Sequence, residues 1–348
     1  MKKLFVFIFF ISFFKNSTAQ IGAQNAYEFL SMPVSTRSIA LGGMLPAYSF
    51  RDLAVAIESP SLLNKSYDRN FYSSQELMFA QIYHGQFGYA KYQPKLDATF
   101  AGSIQYLNYG NFIKADETGA QTGHFGAEEM AMQLGFGKNL NAKFSYGANT
   151  KFIYSRYDDL TATAVAADLS TSYKDTAKKI CLTFQILNVG TQLKTFYPNV
   201  YYEGSHIEGL PTDVRFGISK RLSHMPFSIQ ISAHHLQQFD IRYNNPLDNV
   251  TTNIFGQDST PTKTKNYIAD KIFRHLAFGG EFYFGKHLTV QIGYNHLRRQ
   301  ELKTSTLNGA IGFSGGFHIS TKKFTFGFSH AWYYLPSATN TISLTFLI

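Results

Sequence analysis

The sequence predicts an all-β fold: a transmembrane, antiparallel up-and-down β-barrel of about 14 strands with an N-terminal plug segment. Three observations lead to this prediction. Apolar and polar residues alternate with a period of two along most of the chain after Phe71. The chain has 33 Phe and 22 Tyr among 348 residues but only 16% charged residues, a composition that suits a surface facing lipid. The connections between the alternating segments differ in length according to their parity, as in outer-membrane barrels.

The alternating segments number about 14 and predict the strands. They lie near 71–80, 83–93, 97–109, 126–138, 142–156, 160–173, 178–188, 212–222, 226–237, 272–284, 287–299, 307–320, 323–334 and 340–348. In the final stretch, NTISLTFLI, the apolar residues Ile342, Leu344 and Phe346 alternate with hydroxyl residues. We therefore predict a closing strand that pairs with strand one and leaves no polar edge in lipid. The second face of the later strands carries Ser, Gly, Asn, Gln, Thr and His, which predicts a polar lumen.

The connections separate into two groups. The even-numbered ones are short turns at 94–96, 139–141, 174–177, 223–225, 285–286 and 321–322. All the long ones are odd-numbered, at 110–125, 189–211 and 238–271. Outer-membrane barrels have short periplasmic turns and long external loops, whereas a Greek-key sandwich has no reason to sort its loops in this way. The parity favours a closed barrel whose first strand starts at the periplasmic side.

The first residues predict export. Residues 1–19 read as a signal peptide, with two lysines, an apolar stretch at 4–14 and the small-residue cleavage site Ser17-Thr18-Ala19. No later apolar run reaches the roughly 18 residues of a helical span. We expect the mature chain to reside in the cell outer membrane, in contact with its lipid and lipopolysaccharide. The formal net charge of +9 is spread without a basic cluster, so no nucleic-acid partner is expected.

The remaining chain divides into two parts. Residues 20–68 have no sustained period and are predicted to form a plug or hatch, and residues 69–348 form the barrel. The apolar residues Phe29, Leu30, Ile39 and Leu41 would face water in a free extension, which is unfavourable. Docking of this segment in the lumen or on a partner is therefore predicted.

No pattern in the sequence supports catalysis. Ser320 and Lys323 match a serine-x-x-lysine pattern, but they span a predicted hairpin instead of a helical turn. His234 and His235 are expected on opposite faces of a strand, so they cannot chelate one metal. Cys181 is the only cysteine, which excludes an intramolecular disulfide. We predict a protein that is not an enzyme and has neither a cofactor nor a metal site.

Two motifs in the N-terminal segment suggest a family. The first runs Tyr27-Glu28-Phe29-Leu30-Ser31-Met32-Pro33-Val34-Ser35-Thr36-Arg37 and continues as Ile39-Ala40-Leu41-Gly42-Gly43; the second is Ser59-Pro60-Ser61-Leu62-Leu63-Asn64. Together they resemble the PorQ family of outer-membrane proteins of the Bacteroidetes type IX secretion system, although Ser59 and Ser61 stand where that family has Asn and Ala. The plug residues that carry the resemblance are Tyr27, Phe29, Leu30, Pro33, Arg37, Leu41, Gly42, Gly43, Pro60, Leu62, Leu63 and Asn64.

The resemblance implies a barrel of the fatty-acid-transporter type with a non-enzymatic role in protein secretion. Such a barrel would anchor a PorZ-like surface protein of the attachment complex, beside PorU-like and PorV-like members that process and attach cargo. The predicted contact region is the pair of loops 189–211 and 238–271, on a monomeric barrel. The alternative hypothesis is an outer-membrane transporter of hydrophobic small molecules similar to the long-chain fatty acid channel. The polar lumen predicted above argues against that alternative.

Overall fold

The protein forms one closed antiparallel barrel. The computed structural model describes residues 25–45, 47, 52–196, 207–242, 268–302, 309–333 and 338–348. Within these ranges the barrel has fourteen strands. They are β1 Asn70–Leu77, β2 Tyr83–Gln93, β3 Ala98–Ala115, β4 Gln121–Asn139, β5 Phe144–Tyr157, β6 Leu160–Asp175, β7 Ile180–Lys194, β8 Asp213–Arg221, β9 Phe227–Ala233, β10 Leu276–Phe284, β11 Leu288–Asn295, β12 Phe313–Ser320, β13 Phe324–Ala331 and β14 Thr339–Leu347. The predicted fold is confirmed, and the predicted signal peptide lies outside the described residues.

Closure is made by the final strand. β14 pairs with β1 over its length, with Phe71 opposite Phe346 and Gln75 opposite Ile342. The predicted pairing of NTISLTFLI with strand one is therefore correct. Each other strand pairs with its neighbours in sequence, so the even-numbered connections, all short, lie together at one end of the barrel, and the odd-numbered ones, which include all the long loops, lie at the other. We refer to these as the short-turn end and the loop end.

Several predicted boundaries are wrong at the loop end. The predicted loop 110–125 is mostly strand, because β3 and β4 extend past a register shift and Phe112 stacks on Phe125 with ring centroids 5.2 Å apart. The predicted loop 189–211 begins inside β7. Conversely, the predicted strand at 226–237 ends at Ala233, and residues 296–299 are helical instead of extended. A strand that extends outside a lipid layer does not need apolar residues at every second position. The alternation of apolar and polar residues therefore does not predict where such strands end.

The outer wall of the barrel is apolar. Large apolar side chains point outward from every strand and remain exposed, which a monomeric soluble protein rarely allows over such an area. Examples from around the circumference are Phe87, Phe100, Leu134, Phe152, Leu169, Phe184, Phe216, Ile231, Phe282, Ile292, Phe313, Ile342 and Leu344. Inward positions between them are buried. The wall therefore has the surface that a hydrocarbon layer requires.

The N-terminal segment lies inside the barrel. It contains a 3₁₀ helix at Glu28–Ser31, helix α1 at Thr36–Ala40, helix α2 at Leu53–Glu58, and 3₁₀ helices at Pro60–Leu62 and Lys65–Tyr67. A further 3₁₀ turn, Phe79–Gln81, and the helices α3, Ile268–Arg274, and α4, His296–Leu302, belong to connections at the loop end. No helix in the described part of the chain has the length and hydropathy to cross a membrane.

Candidate functional site

Helix α1 is seated against a glycine-lined part of the wall. Ser35 begins the helix by accepting hydrogen bonds from the backbone N–H groups of Arg37 and Ser38. Gly42 ends it with φ of 100°, a conformation that glycine adopts without steric cost. A Cβ on Gly293 of β11 would overlap the backbone nitrogen of Gly42. The missing side chain therefore lets the plug backbone approach the strand directly.

Neighbouring strands continue this close contact. A Cβ at Gly316 of β12 would lie 2.9 Å from the Cβ of Ala40, and one at Gly279 of β10 would lie 2.9 Å from a methyl carbon of Leu41. Both distances are shorter than normal carbon contacts. Glycine on successive strands thus forms a shallow seat for helix α1, and the shape of the seat fixes where the helix lies.

A buried ion pair holds the same helix electrostatically. The Nε of Arg37 donates to Oδ2 of Asp52 at 3.0 Å, and its Nη1 donates to Oε1 of Glu281 on β10. Arg37 is 5% exposed and Glu281 is 0% exposed. Glu281 also accepts hydrogen bonds from Tyr283 at 2.8 Å and from Gln291 at 3.2 Å. The plug is joined to the wall by an interaction that is costly to break, because either partner alone would be a buried charge.

Polar lumen residues satisfy the backbone of the plug. Its carbonyl groups accept hydrogen bonds from side chains around the whole circumference. The donor and acceptor pairs are Tyr72 to Val34 at 2.9 Å, Gln105 to Phe29 at 3.0 Å, Gln133 to Ile57 at 3.0 Å, Gln185 to Glu58 at 3.0 Å, Ser232 to Met44 at 2.7 Å, Asn295 to Gly42 at 2.9 Å and Tyr333 to Ile39 at 3.0 Å. These polar side chains bind the plug, so the polar lumen is not the argument against an apolar ligand that the sequence suggested.

The second motif makes a separate contact on the opposite wall. Pro60 begins its 3₁₀ helix, where the missing N–H of proline costs nothing. A Cβ at Gly147 of β5 would lie 2.6 Å from the carbonyl oxygen of Pro60. Leu63 is fully buried and Leu62 partly buried, while Asn64 accepts from the N–H of Ser66 at 2.9 Å. The two motifs are therefore docked on different strands and clamp the plug from two sides.

The start of the first motif has two different faces. Ala26 and Phe29 are buried in one apolar cluster, and Met32 packs against it. Phe29 and Tyr27 are buried, and Leu30 and Pro33 are partly buried. Tyr27 has the left-handed φ of 62°. Asn25, Glu28 and Ser31 instead line a cavity of about 310 Å³ at the loop end.

The apolar face of this segment meets an apolar part of the lumen. Inward positions of β3 to β6 carry Leu107, Ala131, Ile153, Ala162 and Ala164, all buried against Phe29. Leu210 joins them, and Met32, Met78, Ile82 and Phe196 pack on the cluster from the loop end. We call this set the apolar wall. It corrects the prediction of a uniformly polar lumen, which was based on the later strands alone.

The opposite face of the cavity is charged. Asp213 and Arg215 of β8 form an ion pair with 2.6 Å between Oδ2 and Nε, and Arg298 and Glu301 of α4 line the same space. Burial raises the pKa of the Glu28 carboxyl, which faces this cavity from the plug. Burial likewise raises the pKa of Glu58, at the end of α2. The loop end of the lumen is thus amphipathic, with an apolar wall beside a charged cavity.

Solved structures of two hydrocarbon channels are similar to this chain in fold. The Pseudomonas putida toluene transporter TodX is 11% identical, with a TM-score of 0.51 over 94% of this chain and 98% of its own. The CymD monoaromatic hydrocarbon channel is 12% identical, with a TM-score of 0.52 over 92% of this chain and 98% of its own. At such identities the likeness shows the fold. The chain therefore shares the barrel fold of these channels.

Comparisons at the level of sequence give no match. No family model matches the chain, and no curated protein matches it. The resemblance of the N-terminal motifs to the PorQ family stays a hypothesis.

The sequence motifs contain one side of each plug contact and not the other. Arg37, Gly42 and Pro60 belong to the motifs, whereas Glu281 and Gly293 were expected to face the lumen but were not predicted to contact the plug. Glu281 had a usable signal, because it is an acidic residue on the inward face of an otherwise apolar and glycine-rich strand. The remaining motif residues make apolar contacts or form turns. Only the folded chain brings them close to one another.

His234 and His235 do not lie in a strand, although the sequence predicted that they would. They follow β9 instead of lying within it, and their ring centroids are 4.9 Å apart. Among the described residues no group of three or more His, Cys, Asp or Glu side chains could hold a metal ion.

Proposed function

We propose that the protein is an outer-membrane barrel that passes hydrophobic small molecules. The observation that carries this proposal is the apolar wall, which extends from Phe29 on the plug to Met78 and Phe196 at the loop end. An apolar surface at the mouth of a barrel suits an apolar ligand, because ligand pockets are lined mostly by apolar side chains with few polar groups. The likeness of the fold to TodX and CymD supports the same proposal.

The plug segment over the apolar wall is the part that would yield to a ligand. It is held there by dispersion contacts and by hydrogen bonds from Gln105 to Phe29 and from Ala26 to Gly209. Helix α1, by contrast, has the buried ion pair of Arg37. Methionine at positions 32 and 78 adds flexible, polarisable side chains that adapt to ligands of different shape. Displacement of residues 25–32 would open a path while α1 stays seated.

Replacing Ile153 by Asn is expected to weaken binding of an apolar probe at least tenfold, because a polar amide would interrupt the apolar wall. Binding is measured by the fluorescence of N-phenyl-1-naphthylamine on the purified, refolded barrel in detergent. The control is Thr339→Asn, which places the same amide in a side chain of similar volume at a buried inward position of β14, away from the wall. Equal affinity of the Ile153→Asn variant and the wild-type protein would contradict the proposal.

A second candidate function rests on the two plug motifs. Their resemblance to the PorQ family favours a role in attaching secreted cargo, with a PorZ-like surface protein held by the long loops. Parts of both candidate loops lie outside the described residues, so this role depends on the motifs. Residues 207–242 and 268–302 are described, and substitutions in these two ranges can be used to test the role of the loops.

A deletion strain separates the two candidates. Loss of uptake of monoaromatic hydrocarbons with intact surface attachment of cargo supports transport. Loss of cargo from the surface with unchanged uptake supports the attachment role instead. Complementation with the Ile153→Asn variant sharpens the comparison, because this change should impair uptake and leave attachment unaffected.

A further inference from the structure

A second cavity opens at the short-turn end, on the opposite side of helix α1 from the apolar wall. Its volume is about 470 Å³, within the usual size of ligand sites. Five cationic side chains line it: Arg37 from the plug, Arg221 from the end of β8, Lys286 from the β10–β11 turn, and Lys322 and Lys323 from the β12–β13 turn. Among the described residues that line the cavity there is neither Asp nor Glu. Such a concentration of one charge makes the space strongly attractive to anions.

The cations come from separate elements and converge on one space. Arg221 is held over the ring of Tyr283, with 4.4 Å between its guanidinium carbon and the ring centroid. Arg37 is paired with Asp52 and Glu281, so its charge is already balanced and the anion would depend on the other four cations. The three lysines lie on turns. Among the described residues, none of Lys286, Lys322 and Lys323 has a carboxylate within 4.0 Å. Their charge is therefore available to a ligand.

Hydroxyl groups complete the lining. Thr289, Ser320, Thr321, Thr325 and Thr345 border the same space, so donors of short hydrogen bonds stand among the cations. A single carboxylate carries one negative charge and two acceptor oxygens. A phosphate group carries up to two charges and three acceptor oxygens, which several lysines and hydroxyl groups can contact at once.

We propose that this cavity is a binding site for a phosphate-bearing anion at the short-turn end of the barrel. The phosphate belongs either to the headgroup of a lipid in the leaflet beside the short turns or to a soluble molecule. Both sources share the same recognition chemistry. The site is separate from the apolar wall, so it stands or falls independently of the transport proposal.

The test uses the full-length barrel in a neutral detergent. Inorganic pyrophosphate is titrated by calorimetry at constant ionic strength, with sodium chloride as the balancing salt. Saturable binding is expected, and the double variant Lys286→Gln/Lys323→Gln should weaken it at least tenfold. The charge-matched control is Lys91→Gln/Lys95→Gln, which removes two exposed lysines from β2 and the β2–β3 turn, outside the cavity.

A second arm distinguishes the two sources of phosphate. The barrel is reconstituted in nanodiscs of phosphatidylcholine with phosphatidylglycerol, released, and analysed by native mass spectrometry. Phosphatidylglycerol retained by the wild type and lost from the Lys286→Gln/Lys323→Gln variant assigns the site to a lipid headgroup. Pyrophosphate binding without lipid retention assigns it to a soluble ligand. Absence of both, or an equal loss in the Lys91→Gln/Lys95→Gln control, overturns the proposal.

Discussion

Gly293→Ala is expected to unseat helix α1 and open the barrel to ions. The new Cβ would overlap the backbone nitrogen of Gly42 and lie 2.5 Å from the carbonyl carbon of Leu41. Neither atom belongs to a flexible side chain, so the strand and the helix must separate. Overpacking of this kind costs about 1–3 kcal/mol, and the cost rises when backbone must move. In planar lipid bilayers the variant should show open channels where the wild type shows few.

The control for this prediction is Gly315→Ala on the neighbouring strand β12. At Gly315 the nearest atom to a new Cβ is the carbonyl oxygen of Gln291 at 3.4 Å, which is an ordinary contact. Both variants add one methyl group to a glycine of the same sheet. Only the one at position 293 meets the plug. Equal conductance of the two variants would show that the plug is not seated on Gly293.

Arg37→Met is expected to destabilise the protein by about 3–5 kcal/mol, because it leaves Glu281 buried without its cation. Glu281 is 0% exposed, and its remaining partners are neutral side chains. Asp52 loses the same cation. The free energy of unfolding is measured in urea, with the fluorescence of Trp332, the only tryptophan, as the signal.

A second substitution identifies the cause of the loss. In Arg37→Met/Glu281→Gln the buried carboxylate is replaced by a neutral amide, so a large part of the lost stability should return. Glu281→Gln alone leaves Arg37 with Asp52 and should cost less than Arg37→Met. The double-mutant cycle then gives a coupling energy between the two positions. Simple additivity of the two single losses would mean that the ion pair does not hold the plug.

The sequence predicts the fold well because the lipid imposes a simple pattern. An outward apolar row every second residue is required wherever a strand crosses hydrocarbon, and the closing strand from Thr339 to Leu347 shows it clearly. The pattern fails where that requirement ends. β3 continues to Ala115 and β4 starts at Gln121 without an apolar row, so their extension beyond the membrane could not be read from alternation.

The plug could be recognised from the sequence only in part. The buried apolar residues, the helix-ending glycines and Arg37 are visible as a motif, but their partners are distant in sequence: Gln105 lies 76 positions from Phe29, and Glu281 lies 244 positions from Arg37. Alternation identifies which residues face the lumen without indicating what each one meets. The polar lumen residues therefore predicted only a polar lumen, whereas in the structure many of them donate hydrogen bonds to plug carbonyl groups. The apolar wall escaped notice because alanine at positions 131, 162 and 164 is compatible with either face of a strand.

The seating of the plug against the closing strand is tested most directly by a disulfide. The hydroxyl oxygen of Thr36 lies 2.7 Å from that of Ser343, so cysteines at these positions are close enough to bond. Cys181, the only native cysteine, is first replaced by Ser. Mild oxidation of the Thr36→Cys/Ser343→Cys variant should then give a disulfide-linked peptide in mass spectrometry. The Thr36→Cys/Ile342→Cys variant, whose second cysteine faces outward, should give none. Absence of the 36–343 link, or equal linking at position 342, would contradict a plug seated by helix α1 inside the barrel.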